Sequence, residues 1–219
     1  MNRRQVLEEV AAGRMAPAEA ARLLDAPAGA ARSVRLRSAY QPVDVVADPQ
    51  VAELLVVGGN HSVRREGDVL VVSDSAPDGF HFGTRQAGGR LAVRVNPQLD
   101  LDAEVIGAVL SVWGMSGAVR AVVQGGTARI ERATGALDLR VMSGSAVVTG
   151  SPRNGDWGLR SESASLEVIL DADADATVAV TGRHSHVDAL GSEQQAVRGS
   201  GAHAIAIEAT FSDVVVRTP

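Results

Sequence analysis

Residues 118–144 read AVRAVVQGG, TARIERATG and ALDLRVMSG, three phrases of nine residues with aliphatic side chains at alternate positions and a glycine at the end. Alternation of apolar and polar residues is typical of a β-strand with one buried face, and the glycines mark corners. One phrase is too short to bury its own apolar face, so each strand must pack on the next phrase. Similar phrases run from Leu99 to the C-terminus at intervals of about 9–10 residues. The pattern predicts a mainly β fold, a single-stranded β-solenoid (β-helix).

The composition excludes several classes of protein. Of the 219 residues, 45% are hydrophobic but only 3% are aromatic, which predicts a core of Val, Leu, Ile and Ala. The net charge of −5 argues against nucleic-acid binding, which depends on basic residues that neutralise phosphates. The chain has no Cys and no Lys, so disulfides, thiolate sites, phosphate loops and lysine Schiff bases are excluded. This amino-acid composition, rich in Ala and Arg, indicates a bacterial source.

Residues 1–26 have a different pattern, which predicts a small α-helical hairpin with its turn at Gly13. A linker follows at 27–32, and residues 33–219 form the predicted β-solenoid repeat domain. The hairpin is too small to be stable alone, so its apolar stripe must cap the solenoid or contact another chain. The predicted interaction residues in this stripe are Val6, Leu7, Val10, Leu23 and Leu24.

The predicted location of the protein is the cytoplasm. Arg3 and Arg4 are followed by QVLEEVAAGR, which is too polar for the apolar core of a signal peptide. The longest apolar stretches, such as VIGAVLSVWG, fall short of the about 20 residues that span a bilayer. We therefore expect no transmembrane segment, while peripheral membrane association stays open.

The order of parts resembles a known family. The stretch VLEEVAAGRMAPAEAARLLDA, followed by β repeats, is similar to the start of bacterial putative-adhesin proteins of β-strand-repeat type. The resemblance covers nearly the whole chain, and it implies a β-repeat domain and, for members without an export signal, a cytoplasmic scaffold. More distantly, the chain resembles bactofilins, cytoplasmic β-solenoids that polymerise end to end.

The last phrase, AIAIEATFSDVVVRTP, predicts a second contact surface at Val214, Val215 and Val216. The end of a solenoid presents unpaired backbone groups, which form a template for another strand. Arg217 and Pro219 are the only evident protection of that edge.

Few residues indicate chemistry. His184, His186 and Asp188 alternate, so an extended strand would place them on one face as a candidate metal site, although a solvated polar stripe explains them more simply. LDADADAT resembles the start of a calcium loop, but Ala176 and Gly182 replace the required Gly and Glu. An enzyme would depend on the remaining carboxylates, namely Asp100, Asp102, Asp171, Asp173 and Asp175. We assign no catalytic, cofactor-binding or metal-binding residue and expect no cofactor.

The sequence thus predicts a non-enzymatic cytoplasmic scaffold or interaction protein that self-associates or recruits another protein through the helical hairpin. The alternative is a bactofilin-like structural protein whose filaments assemble through the solenoid ends. Two locations are compatible with Trp113 and Trp157, namely the protein interior and a surface that contacts a partner.

Overall fold

The structure, a computed structural model, describes residues 30–59, 61–74, 89–190 and 195–218. The described residues belong to one compact unit, Ala31–Pro219. Its strands follow from the alternation in the sequence. In Val119–Gln124, for example, Val119, Ala121 and Val123 are buried and the residues between them face outward.

The described residues form seventeen strands. They are β1 (Ser33–Ala39), β2 (Val43–Ala47), β3 (Leu54–Gly58), β4 (His61–Glu66), β5 (Val69–Asp74), β6 (Leu91–Val95), β7 (Asp100–Ile106), β8 (Val109–Trp113), β9 (Val119–Gln124), β10 (Thr127–Met142), β11 (Ser145–Glu162), β12 (Ser165–Leu170), β13 (Ala176–Arg183), β14 (His186–Ala189), β15 (Gln195–Arg198), β16 (His203–Thr210) and β17 (Asp213–Arg217). They form one curled, half-barrel-like sheet.

The sheet consists of two ladders whose inner faces share the core. Ladder A runs in the order β4, β5, β1, β7, β9, the second half of β10, the second half of β11, β16, β13 and β15. Ladder B runs in the order β3, β6, β2, β8, the first half of β10, the first half of β11, β12, β17 and β14. Strands pair in parallel except for β3, β4 and β15, which are antiparallel to their neighbours.

The predicted mainly β class is confirmed for the described residues, but the predicted arrangement as a single-stranded β-solenoid is wrong. A solenoid stacks its coils in chain order. Here β5 and β6 lie beyond β1 and β2 at one end of the ladders. At the other end, β16 lies between β11 and β13, and β17 lies between β12 and β14. No described residue is helical, and residues 1–26, to which the hairpin was assigned, lie outside the described residues. Alternation fixes which face of a strand is buried but not which strand lies beside it, so the order of pairing could not be predicted.

Two phrase ends that the repeat predicts to be corners, Gly135 and Gly155, lie within continuous strands. β10 is 16 residues long and β11 is 18, and each runs from one ladder into the other through glycines that looked like turns. The register between them shifts near Gly135, where irregular pairing bends both strands while they continue.

The core is aliphatic, as the composition predicts. One continuous cluster of buried Val, Leu, Ile and Ala side chains fills the space between the ladders. Trp157 is the only buried aromatic residue in the part of the chain that the structure describes, and its Nε1–H donates to the Gly135 carbonyl oxygen at 3.1 Å. Within the same part, no helix could span a membrane.

Candidate interaction surfaces

The ends of ladder B are open edges. Over the described ranges, β3 pairs only with β6, and β14 pairs only with β17. β3 has the sequence LLVVG, and Leu55 and Val57 project from it with exposures of 50% and 62%. Exposed edges are usually protected by charge, but β3 carries no polar side chain. This strand is therefore a candidate contact surface.

The other end strands are protected. β4 carries Arg64 and Arg65, which pair with Glu66 and Glu53. β14 exposes His186 and Asp188. β15 carries Arg198 beside the exposed Val197. Charged side chains on an edge strand oppose its pairing with a like-charged edge, which leaves β3 as the end strand without a charge among the described edges.

The predicted contact at Val214–Val216 does not lie on an open edge. These residues belong to β17, which is paired with β12 on one side and β14 on the other. Val214 and Val216 are buried in the core, and Val215 is half-buried. β17 is the last described strand in sequence but not an end strand of the sheet, because it lies between β12 and β14. The other predicted contact residues, Val6, Leu7, Val10, Leu23 and Leu24, lie outside the described residues.

A row of left-handed residues marks one corner between the ladders. Each member has a φ of about +50° to +65°. In six of the seven members, all except His184, the N–H donates to a carbonyl of the adjacent turn at 2.7–3.0 Å. In spatial order the row comprises Tyr40, Gly107, Gly125, Ser143, Ser163, Phe211 and His184. Stacked turns of the same shape thus form a continuous ridge, which we call the corner row.

Aromatic residues lie near both ends of the corner row. Tyr40 is 76% exposed and Phe211 is 63% exposed. His184 stacks on Phe211 with a centroid distance of 5.1 Å and an interplanar angle of 9°. Tyr40 and Phe211 were not predicted from the sequence as site residues. Both residues could have been recognised as bulky residues at phrase ends, where neighbouring phrases carry Gly or Ser.

The histidine pair does not form the predicted arrangement. His184 lies at the corner that separates β13 from β14, so it does not share a strand face with His186 and Asp188. The described residues contain no cluster of His, Asp and Glu side chains that could hold a metal ion.

The carboxylates singled out in the sequence have local partners. Asp100 accepts a hydrogen bond from the Ala118 N–H at 3.0 Å, and Asp102 pairs with Arg35 at 3.2 Å. Asp171 accepts from the Ser151 hydroxyl at 3.1 Å. Asp173 pairs with Arg153 at 2.8 Å. These groups stabilise neighbouring strands and turns. Asp100 and Asp102 border one groove on ladder A, and Asp171 and Asp173 are not part of it.

Asp175 anchors the turn between β15 and β16. Its Oδ1 accepts hydrogen bonds from the N–H groups of Gly201 at 2.6 Å and Ala202 at 3.1 Å, and the Ser200 hydroxyl donates to its Oδ2 at 2.8 Å. The Ala202 N–H, followed by the Ser200 hydroxyl, holds the pKa of Asp175 below its ordinary value.

We expect this anchor to weaken in acid. A carboxylate whose pKa is lowered by folding stabilises the folded state above its unfolded pKa, and this contribution is lost as the pH falls through the folded pKa. The difference in melting temperature between the wild type and Asp175→Asn should therefore be constant near neutral pH and shrink below about pH 4. Thermal unfolding followed by circular dichroism from pH 7 to pH 2.5 measures it. A difference that stays constant down to pH 2.5 would contradict the prediction.

The two tryptophans have different environments. Trp157 is 1% exposed in the core, whereas Trp113 is 40% exposed on the outer face of ladder B. The Arg132 guanidinium lies 5.2 Å from the Trp113 ring centroid, a cation–π contact.

In the ranges that the structure describes, these features define a mainly β protein with an apolar edge at β3 and an aromatic corner row. No family model matches the chain, and no curated protein matches it. Among solved structures, the chain is similar to one described as a putative cell adhesion protein from Clostridium sporogenes ATCC 15579. The identity is 11% and the TM-score is 0.45, and the match covers 88% of this chain and 95% of that chain.

Proposed function

We propose that this chain is a non-enzymatic scaffold or interaction protein that self-associates through the edge strand β3. The observation that carries the proposal is the apolar, unprotected edge formed by Leu55 and Val57. An exposed strand with free backbone groups is a template for another strand, and soluble proteins normally protect such edges.

The opposite end of ladder B supplies a partner strand, since Asp188 of β14 opposes pairing with a like-charged edge but β3 carries no charge. β14 runs parallel to β17, and β3 runs antiparallel to β6. When a second copy is stacked in the same orientation, β3 of one copy meets β14 of the next in the antiparallel sense. Such a head-to-tail contact is heterologous and does not close on itself, so it favours rods. End-to-end assembly is also the behaviour of the bactofilin-like alternative.

Size-exclusion chromatography with light scattering, together with negative-stain microscopy, tests the proposal. We expect the wild type to form rods that lengthen with protein concentration. Leu55→Arg/Val57→Arg should elute as a monomer, because two charges on the edge oppose strand pairing. Val197→Arg is the matched control, since Val197 is equally exposed but lies on β15 in ladder A.

Two results of these measurements would contradict the proposal. A wild type that is monomeric at all concentrations would overturn self-association. Oligomers that survive Leu55→Arg/Val57→Arg, with an unchanged β-sheet circular dichroism spectrum, would overturn the role of β3. In that case Leu23→Asp/Leu24→Asp examines the contact residues predicted near the N-terminus.

A further inference from the structure

The corner row contains aromatic residues in a backbone conformation that disfavours them. Left-handed φ values suit Gly, and to a lesser degree Asn, Asp and His, whereas a bulky residue there is a true outlier. Tyr40 has a φ of 65° and Phe211 a φ of 50°. Both side chains are largely exposed, so little burial compensates for the strained backbone. Strain of this kind is typical of functional positions.

The fold itself does not require these rings. Gly107, Gly125, Ser143 and Ser163 occupy the same corner in the turns between them, with the same hydrogen bond to the adjacent turn. A small residue therefore satisfies the structural role, and the aromatic rings serve another purpose.

The Phe211 ring forms one wall of a shallow, open groove. His184 covers one face of the ring, and Ser163 follows on the opposite side in the row. The groove is lined by the hydroxyl-bearing Ser163 and Ser165 and by the Asp213 carboxylate, and Gly144 also borders it. It thus combines a flat aromatic surface with groups that donate and accept hydrogen bonds.

Tyr40 provides a second flat surface along the same row. Its Cδ1 atom lies 2.7 Å from the place that a Cβ atom on Gly107 would occupy, so the ring lies over Gly107. Four strand spacings separate Gly107 from Phe211, which is about 19 Å at the usual separation of about 4.8 Å. The ridge between the rings carries only Gly125, Ser143 and Ser163.

We infer that the corner row binds an uncharged oligosaccharide that lies along the ridge and stacks on both rings. Pyranose rings present apolar C–H faces that pack on aromatic side chains, and their hydroxyl groups bond to serine and carboxylate oxygens. A peptide strand could not extend the sheet along the ridge, because the corner N–H groups from Tyr40 to Phe211 already donate to adjacent turns. The groove is also too open and too polar for a purely apolar ligand.

Isothermal titration with neutral β-linked and α-linked hexasaccharides, cellohexaose, laminarihexaose and maltohexaose, tests this inference. We expect at least one of them to bind. Phe211→Ser and Tyr40→Ser should each weaken that binding by tenfold or more. Both should keep the wild-type melting temperature or raise it, since Ser is already accommodated at two positions of the row. Val197→Ser, an exposed apolar residue outside the row, should bind like the wild type.

Four results would overturn the inference. They are the absence of binding to all three sugars, binding that Phe211→Ser leaves intact, a clear loss of stability in Phe211→Ser, and preferential binding of an unstructured peptide. Repeating the titration with Leu55→Arg/Val57→Arg separates this site from self-association, because the Phe211 groove beside β17 lies at the far end of ladder B from β3 and should bind sugar in a monomer.

Discussion

Trp157→Ala is expected to lower the free energy of unfolding by about 3–5 kcal/mol, the usual effect of removing a large aromatic side chain from a core. Trp157 is 1% exposed and is the largest buried side chain of the described residues. Its neighbours are short aliphatic side chains fixed in hydrogen-bonded strands, so they cannot collapse into the cavity. A loss of this size corresponds to a fall of about 6–20 °C in melting temperature for a domain of this length.

Two controls isolate the cause. Trp157→Phe keeps most of the ring but loses the Nε1–H donor to the Gly135 carbonyl, and we expect a smaller loss of about 1–3 kcal/mol. Trp113→Ala removes the same side chain from the outer face and should cost less than about 1 kcal/mol. Denaturant unfolding followed by circular dichroism measures all three. Equal losses for the two Ala variants would show that Trp157 is not a core residue.

Gly144→Ala is expected to destabilise the sheet by about 3 kcal/mol, at the upper end of the usual range for overpacking. A Cβ atom on Gly144 would overlap the carbonyl oxygen of Gly126 in the neighbouring turn. That oxygen accepts the N–H of Ser145 at 3.0 Å, so the two turns cannot separate without breaking a hydrogen bond between ladder strands. The backbone has to shift, since no flexible side chain can yield.

Gly158→Ala is the matched control for this substitution. A Cβ atom there would meet no atom within 4 Å, and Gly158 lies within β11 without a positive φ. We expect a neutral effect or a gain of a few tenths of a kcal/mol, because Ala restricts the unfolded chain more than Gly does. Thermal unfolding compares the two variants. If Gly144→Ala melts like Gly158→Ala, the close approach of the turns is not a constraint on this fold.

The sequence predicted the strands well where alternation is regular. Val119, Ala121 and Val123 point inward as expected, and the phrase ends at Gly125 and Ser143 are the corners. It failed at Gly135, where a glycine was interpreted as a corner but the strand continues through an irregular pairing. A glycine permits a turn without requiring one, and here its lack of a side chain allows a close approach to the Gly117 carbonyl.

The candidate sites were harder to predict because they depend on neighbours distant in the chain. The open edge was assigned to Val214–Val216 at the end of the chain, but it lies at β3, because β17 is inserted between β12 and β14. Likewise, Phe211 and His184 are 27 positions apart and stack only because β16 lies beside β13.

The sequence alone determined that this chain forms a β-sheet with an aliphatic core and corners at regular intervals, because alternation and glycine placement act over a few residues. Only the tertiary structure decided the order in which the strands pair, the position of the open edge and the alignment of seven left-handed corners. Inward-facing Val and Leu side chains are interchangeable between strands. Strand order is therefore decided by the packing of the whole sheet, and the positions of exposed side chains such as Leu55, Tyr40 and Phe211 follow from that order.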